Sequence, residues 1–389
     1  MNRDAVIVSA VRTAIARAGG ALATVPAHIF GAQVFKEAVR RVKIHPNQIE
    51  DVVIGNVTSG GGNIARLTAL QAGFGLEIPG MTIDRQCGSG INAVNLAAQA
   101  IKAGVGDIFL AGGIESMSRA PYLMERPDKA YSPIPPSIKK PRLSPDEIGN
   151  PPMGITAENL VKQYNISREE QDEFSYQSQQ KMAVAMKEGR FSDQIVPIQI
   201  PTKNKNPIIF NQDEHPRPDT TIEALSKIPA AFIKGGTVTA GNSSGLNDAA
   251  AALVIMSRDK AEEFGLKPLA VIREFGVAGV NPNIMGIGPV PVTKKVLEKS
   301  RLTVNDLDIV EMNEAFAAQV IACNRELKIN LNKLNVNGGA IAHGHPLGAT
   351  GAILITKAVY ELHRRNGKYA LITACIGGGQ GIATIIERE

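Results

Sequence analysis

Short apolar runs that alternate with helical patterns constrain this chain more than any other feature. Residues 5–9 and DVVIG at 51–55 read as strands, with an amphipathic helix over 31–42 between them. Residues 107–111 (DIFLA) read as a further strand that ends in Gly112-Gly113. The pattern returns late in the chain, with strands over 270–275, 308–312, 369–375 and 381–387 and helices over 291–298 and 315–326. Such alternation predicts a layered α/β fold with mainly parallel pairing. Glycine is abundant at 38 residues, aromatics are only 4%, and Trp is absent, which suits tightly packed α/β layers better than a β-sandwich.

The middle of the chain breaks the pattern. Residues 119–152 are rich in Pro and charge, and SPIPPSIKKPRLSP within them does not fit a regular helix. A capping box at Ser167 and Glu170 then opens a helical block. We read 118–245 as an inserted loop domain, 1–117 plus 246–268 as one α/β half, and 269–389 as the other. There is also a faint internal repeat. Cys87-Gly-Ser-Gly90 opens an apolar helix followed by a strand and Gly112-Gly113, and His345-Pro-Leu-Gly348 opens a helix followed by a strand and Gly377-Gly-Gly379.

Charge and cysteine usage narrow the function. The excess of 42 basic over 37 acidic residues is small and unclustered, which argues against nucleic acid and is compatible with an anionic ligand. Three Cys do not make a disulfide framework, and a reducing, cytoplasmic setting is expected. No secretory pattern opens the sequence, and no apolar stretch reaches membrane-spanning length.

The chemistry concentrates in a few segments. Cys87 sits in TIDRQCGSG at 82–90, an extended run, a Cys, then Gly-Ser-Gly and a helix. A thiol in such a turn faces a helix N-terminus, a field that lowers a thiol pKa. A buried Cys in a strand-to-helix crossover fits the same context. His345, with Pro346 at the expected first helical position, suits proton transfer or donation to an oxyanion, and His343 precedes it by two residues. Either His also fits a structural role, and the H-x-H spacing lacks a Cys pair for zinc. Cys375 ends an apolar run ahead of a Gly run whose N–H groups suit an oxyanion, while Cys323 reads as core. Asn313 reads either as a helix N-cap or as a holder of a water. Residues 236–245 read as a small-residue segment before an Ala-rich helix, and SGGGN at 59–63 as a loop.

Taken together, RQCGSG at 85–90, AGGIESMSRAP at 111–121, GTVTAGNSSGLND at 236–248, NEAFAAQ at 313–319, NGGAIAHGHPLGATG at 337–351 and CIGGG at 375–379 resemble the thiolase family over nearly the whole chain. The resemblance implies a duplicated α-β-α-β-α layered fold, with each half a five-stranded sheet and an inserted loop domain over a CoA site. It implies reversible Claisen condensation and thiolytic cleavage of 3-oxoacyl-CoA through acyl-Cys87. The expected activity is acetyl-CoA C-acetyltransferase, with a longer-chain 3-ketoacyl-CoA thiolase and a non-catalytic CoA- or lipid-binding scaffold as alternatives. Cys87 matches the nucleophile, His345 its activator, Cys375 the acid/base, and Asn313 the water-holding residue of one oxyanion hole. The N–H groups of Cys87 and Gly377 match the second hole. Ser244, Arg217, Phe232, Met153, Met285, Ala315 and Phe316 match the CoA and acyl-tunnel residues. Acyl-CoA and CoA are the implied partners, no metal or redox cofactor is needed, and homodimers or homotetramers are expected. One position departs from the pattern: Pro152 stands where many biosynthetic members carry His, which favours acyl chains longer than four carbons.

Overall fold

The computed structural model describes residues 3–389 apart from 60, 61, 128, 130, 132–134, 140 and 203–205. Part of the SPIPPSIKKPRLSP segment and the Gly60–Gly61 part of the 59–63 loop therefore lie outside the described residues. The first half is built from β1 (Ala5–Arg12), α1 (Ala27–Val42), β2 (Asp51–Gly55), α2 (Ile64–Gln71), β3 (Gly80–Ile83), α3 (Ser89–Ala103) and β4 (Ile108–Ser116). The loop domain contributes α4 (Met153–Tyr164) and α5 (Arg168–Lys187), and β5 (Asn247–Ser257) returns to the first half. The second half is β6 (Ala270–Gly279), α6 (Pro289–Ser300), β7 (Ile309–Met312), α7 (Ala317–Leu327), α8 (Leu347–Arg365), β8 (Tyr369–Ile376) and β9 (Gln380–Glu387).

The main strands follow the order β7-β8-β9-β6-β1-β5-β4-β2-β3. The two half-sheets are joined by the short antiparallel pairing of Val6 with Val271 and Ile7 with Ala270. The expectation of mainly parallel pairing fails. Only β7·β8, β2·β3 and β2·β4 are parallel in the main sheet, and the pairs β1·β5, β5·β4, β6·β9 and β8·β9 are antiparallel. Strand-helix alternation does not report the direction in which a strand returns after a long insertion, and β5 returns after the whole loop domain.

The Ala-rich segment is the second correction, because it is a strand and not a helix. All of β5 is buried, and its residues alternate between two cores. Ala250, Ala252, Val254 and Met256 face one cluster, and Ala249, Ala251, Leu253 and Ile255 face the other. That period of two is a strand's signature, and burial on both faces overrides the helix propensity of Ala.

Three apolar clusters separate the layers. One joins α1 and α2 to the outer face of the first half-sheet, and another joins α6 and α7 to the outer face of the second. Between them α3 and α8 lie side by side, packed on both half-sheets. Layers of helix, sheet, helix, sheet and helix follow.

The two central helices touch through glycine. A Cβ added to Gly90 would sit 2.7 Å from Ala352 N and 2.9 Å from Gly348 O, so only Gly permits this approach. Gly112 and Gly113 do not end β4, which continues to Ser116. They are narrow points in it, with an added Cβ on Gly113 lying 2.7 Å from Ala349 Cα. Backbone contact at these places brings the starts of α3 and α8 together, and with them the segments of Cys87 and His345.

The loop domain is held by buried polar groups. The Arg12 guanidinium meets Asp213 in a two-point ion pair at 2.7 and 3.0 Å, and both side chains are 1% exposed. Removing one member of such a pair leaves a buried charge alone and costs about 3–5 kcal/mol. Glu158 on α4 accepts from the N–H groups of Thr237 and Val238, both at 2.9 Å. The capping box is present, with Glu170 N donating to Ser167 Oγ at 3.1 Å and Ser167 N donating to Glu170 Oε2 at 2.8 Å.

Candidate active site

Cys87 lies in a tight turn between β3 and α3. Gln86 before it takes a left-handed φ of 46°, a strained conformation for a side chain of that size. The turn is locked by Ser89, whose Oγ accepts from Arg85 N at 2.8 Å and donates to Gln86 O at 2.7 Å. Asp84 accepts from Gln86 N at 2.7 Å. The side chain of Cys87 is thereby fixed ahead of the first turn of α3.

The thiol is not acidic at rest, contrary to the expectation from the helix end. Burial pushes Cys87 up to about 11, opposed by the N–H groups of Gly377 and of Cys87 itself, which favour the thiolate. The desolvation cost outweighs the helix field. The same two N–H groups are the pair expected to line an oxyanion hole.

His345 is 5% exposed and bonded on both ring nitrogens. Nδ1 lies 2.7 Å from Thr350 Oγ1, and Nε2 lies 3.3 Å from Asn313 Nδ2. With the Asn313 amide donating, Nε2 carries the lone pair and Nδ1–H donates to Thr350. His345 N donates to Asn247 Oδ1 at 2.9 Å, which fixes the backbone as well. Burial lowers the His345 pKa to about 4, so the imidazole is neutral at neutral pH. Pro346 occupies the N-cap of α8 rather than the first helical position.

Asn313 does not cap a helix. It follows β7, with its N–H on Thr373 O at 2.9 Å, and α7 begins four residues later at Ala317 with Phe316 at the cap. Its Oδ1 is buried without a hydrogen bond. His343 is also buried. Its Nδ1 is 2.9 Å from Gly344 O, and burial, Lys357 and Arg12 hold its pKa well below the usual imidazole range.

Cys375 is fully buried on β8, opposite Gly381. Burial and the proximity of Cys87 raise its thiol well above the ordinary range. Its apolar cluster holds Ala157, Val238, Met285, Ala315 and Phe316, with Met153 and Val161 against it. Met153, Met285, Ala315 and Phe316 are thus brought together around the second thiol. Phe232 meets Phe316 edge to face with ring centroids 6.0 Å apart. Ser244 joins through its backbone, with N donating to Ala315 O at 3.0 Å. Arg217 stands further out. It is exposed, and its N donates to Gln179 Oε1 at 2.9 Å. It neighbours His215, whose ring lies against Gly245, next to Ser244. Cys323 is core, as expected, with Sγ donating to Gly286 O at 3.2 Å.

Several residues of the site were not singled out in the sequence. Asn247 and Thr350 hold His345, and neither carries a local signal beyond its place in a small-residue segment. Leu143 belongs to the Pro-rich cover, and an added Cβ on Gly377 would lie 2.9 Å from its Cδ1 and 3.7 Å from Met153 Sδ. Among the described residues no group of three or more His, Cys, Asp or Glu is arranged to hold a metal. A cavity of about 520 Å3 lies beside Glu314, away from Cys87.

Two family models match the chain, the N-terminal domain of thiolase over residues 5–259 and the C-terminal domain of thiolase over 266–388. The chain belongs to the thiolase family. It is 47% identical to an acetyl-CoA acetyltransferase of Allochromatium vinosum, with 100% of both chains covered. The crystal structure of the Bacillus anthracis acetyl-CoA acetyltransferase is similar with a TM-score of 0.94 at 43% identity, covering 99% of each chain. Human mitochondrial 3-ketoacyl-CoA thiolase in complex with CoA is similar with a TM-score of 0.93 at 42% identity, covering 100% of this chain and 98% of that one. The thiolase fold and acyltransferase activity expected from the sequence are therefore established. No helix among the described residues is long and apolar enough to cross a membrane.

Proposed function

We propose that this thiolase joins and cleaves acyl units through a thioester on Cys87, acting on CoA thioesters as an acetyl-CoA C-acetyltransferase. The observation that carries the reading is the union of both halves at one place: the Cys87 turn, the His345–Asn313 pair, and the Gly377 N–H beside Cys375. The Cys87 sulfur attacks the acyl-CoA carbonyl and a new S–C bond forms. The thiol proton passes to His345 Nε2 and stays there, and the departing CoA sulfur takes the proton of Cys375, which is left a thiolate. The N–H groups of Cys87 and Gly377 receive the negative oxygen of the tetrahedral intermediate. Starting from two neutral groups, this transfer becomes favourable as charge develops where those donors already point.

In the second half-reaction Cys375 removes a proton from the α-carbon of acetyl-CoA. The enolate oxygen is met by Nε2–H of His345 and by a water held at Asn313, whose Oδ1 has no protein partner. The carbanion then attacks the acyl-Cys87 carbonyl, the S–C bond breaks, the Cys87 sulfur recovers its proton from His345 Nε2, and 3-oxoacyl-CoA leaves. In thiolysis Cys375 instead takes the proton of free CoA. Ser244, Phe232, Met153, Met285, Ala315 and Phe316 border the pantetheine and acyl path, and Arg217 lies toward the adenine end. A relative solved in complex with CoA supports CoA as the ligand of this path. No metal or redox cofactor has a part in these steps. An exposed apolar hairpin of Leu123–Met124 with Ile138–Lys139, and the edge strand β3, support assembly into dimers or tetramers.

Brief incubation with acetyl-CoA, quenching and peptide mass mapping is expected to place an acetyl group on the Cys87 peptide. Label found only at Cys323 or Cys375 rejects the assignment. Chain length is tested separately. The names of the relatives and the crowding of Leu143 and Met153 at Gly377 support acetoacetyl-CoA as the preferred substrate. Pro152, which caps α4, and the likeness to a 3-ketoacyl-CoA thiolase favour the longer-chain reading. The ratio of kcat/KM for a medium-chain 3-oxoacyl-CoA over acetoacetyl-CoA is expected below one, and a ratio well above one establishes the longer-chain activity.

A further inference from the structure

Glu115 is fully buried at the end of β4, and none of the steps above uses it. Six hydrogen bonds converge on its carboxylate. Oε1 accepts from Thr58 N, Thr58 Oγ1 and Ser59 Oγ, each at 2.9 Å, and from Asn56 Nδ2 at 3.2 Å. Oε2 accepts from Val57 N at 3.0 Å and from Gly348 N at 2.8 Å. Five of these bonds come from the segment that follows β2. The sixth comes from the other half of the chain, in the first turn of α8.

That sixth bond matters for what it supplies. Pro346 at the N-cap of α8 offers no side-chain acceptor. A carboxylate reaching in from β4 satisfies one of the donors such an end leaves open and complements its partial positive charge. The approach is close, since a Cβ added to Gly348 would sit 2.7 Å from Asn56 Cα. Gly348 follows His345 by three residues, and α8 packs on α3 at the end where Cys87 stands. Glu115 therefore ties the first turn of α8 to the segment after β2, and the end of β2 lies against the Cys87 turn, where a Cβ added to Gly55 would sit 2.6 Å from Ser89 C.

We propose that Glu115 is a positioning residue that locks the first turn of α8, and with it His345, against the Cys87 turn of the other half. The inference rests on Cys87 and His345 being the reacting pair. Its charge also reaches Cys87. The charged and titratable groups that bear on that thiol are Asp84 from its own turn, Glu115 from β4, Cys375 from β8 and neutral His345. Asp84 and Glu115 both oppose the thiolate.

The charge and the reach of Glu115 separate in two variants. Glu115→Gln keeps the shape, removes the charge and replaces one acceptor oxygen with an NH2. Glu115→Asp keeps the charge and shortens the arm. The readouts are the pH dependence of Cys87 alkylation by iodoacetamide, followed on the Cys87 peptide, and kcat and KM for thiolysis of acetoacetyl-CoA. Glu115→Gln is expected to move the alkylation profile to lower pH. It is also expected to lower kcat by about 10²-fold, the effect of a misplacement near 1 Å, with KM little changed. Glu115→Asp is expected to keep the wild-type alkylation profile and to lose kcat. If Glu115→Gln does not fold, Thr58→Val removes a single donor and is expected to lower kcat several-fold at constant KM. Wild-type kcat in folded Glu115→Gln overturns the proposal, as does a kcat loss matched by lost folded protein with an unshifted alkylation profile. Failure of wild-type Cys87 to take up any acyl label is a different result. It removes the nucleophile assignment and this inference with it.

Discussion

Replacing His345 with Ala is expected to lower kcat for thiolysis by more than about 10²–10³, the range for losing one oxyanion donor. The loss exceeds that range because the variant also lacks the acceptor of the Cys87 proton. With Cys87 at about 11 and His345 at about 4, no thiolate–imidazolium pair stands ready at rest. The imidazole is needed at the moment of attack, and no other base is bonded into its place. His343→Ala is expected to be milder. Its imidazole holds the Gly344 carbonyl at 2.9 Å, and so steadies the peptide before His345 without touching the reacting atoms. Steady-state kinetics on folded variants checks both. Equal and severe losses would show that His343 shares the chemistry.

The same variant has a signature in stability. His345 titrates near 4 in the fold against an ordinary value of 6.5, so below 6.5 the unfolded chain binds the proton more readily. Stability is then lost as pH falls from 6.5 toward 4, and this penalty is absent above 6.5. His345→Ala lacks this group, so its Tm should fall less steeply than that of the wild type across the window. Parallel Tm curves would show that His345 is not buried in the neutral form.

What the sequence made legible was local. The Cys-Gly-Ser-Gly turn, the capping box at Ser167 and the strands over 51–55 and 369–375 carry their signals within a few residues. Periodicity gave a layered α/β fold, and the motifs gave the family and with it the order of five layers. Direction and partnership were not legible. The Ala run of β5 reads as a helix until the buried layers on both sides are known, and its antiparallel return depends on a loop domain between the strands. Asn313 looks like a cap because Asn before an apolar helix usually is one. Here the helix begins later, and the amide turns to a histidine 32 residues away. Asn247, Thr350 and Leu143 have side chains of ordinary type, and their importance comes only from what the fold sets beside them. The acidity of Cys87 was misjudged for a related reason. A helix end is visible in sequence, whereas desolvation is a property of the assembled site.

Cys375→Ser is expected to divide the mechanism. The variant should still take an acetyl group from acetyl-CoA onto Cys87, because the attack uses the Cys87 sulfur, His345 and the N–H groups of Cys87 and Gly377, all left in place, and a CoA thiolate can leave before it is protonated. It should lose condensation and thiolysis by about 10²–10⁴-fold, the contribution of a positioned acid or base. Ser preserves the shape of the site, but its hydroxyl is a far weaker acid than a thiol and its conjugate base is not formed near neutral pH. The geometry adds a reason for the order of events. Burial in the apolar cluster of Met285, Ala315 and Phe316 raises the Cys375 thiol, and charge on Cys87 raises it further. A Cys87 thioester cannot carry that charge, so the Cys375 thiolate forms more readily once the first half-reaction is complete. Two thiols in one site are thereby kept from ionising together. Three measurements check the reading: mass mapping of the Cys87 peptide, the rate of acetoacetyl-CoA thiolysis, and exchange of the acetyl-CoA methyl protons with deuterated water. Exchange should vanish with condensation while the acetyl label persists. Near-normal condensation by the variant, or loss of the label together with condensation in a folded protein, would show that Cys375 has no separate part in proton transfer.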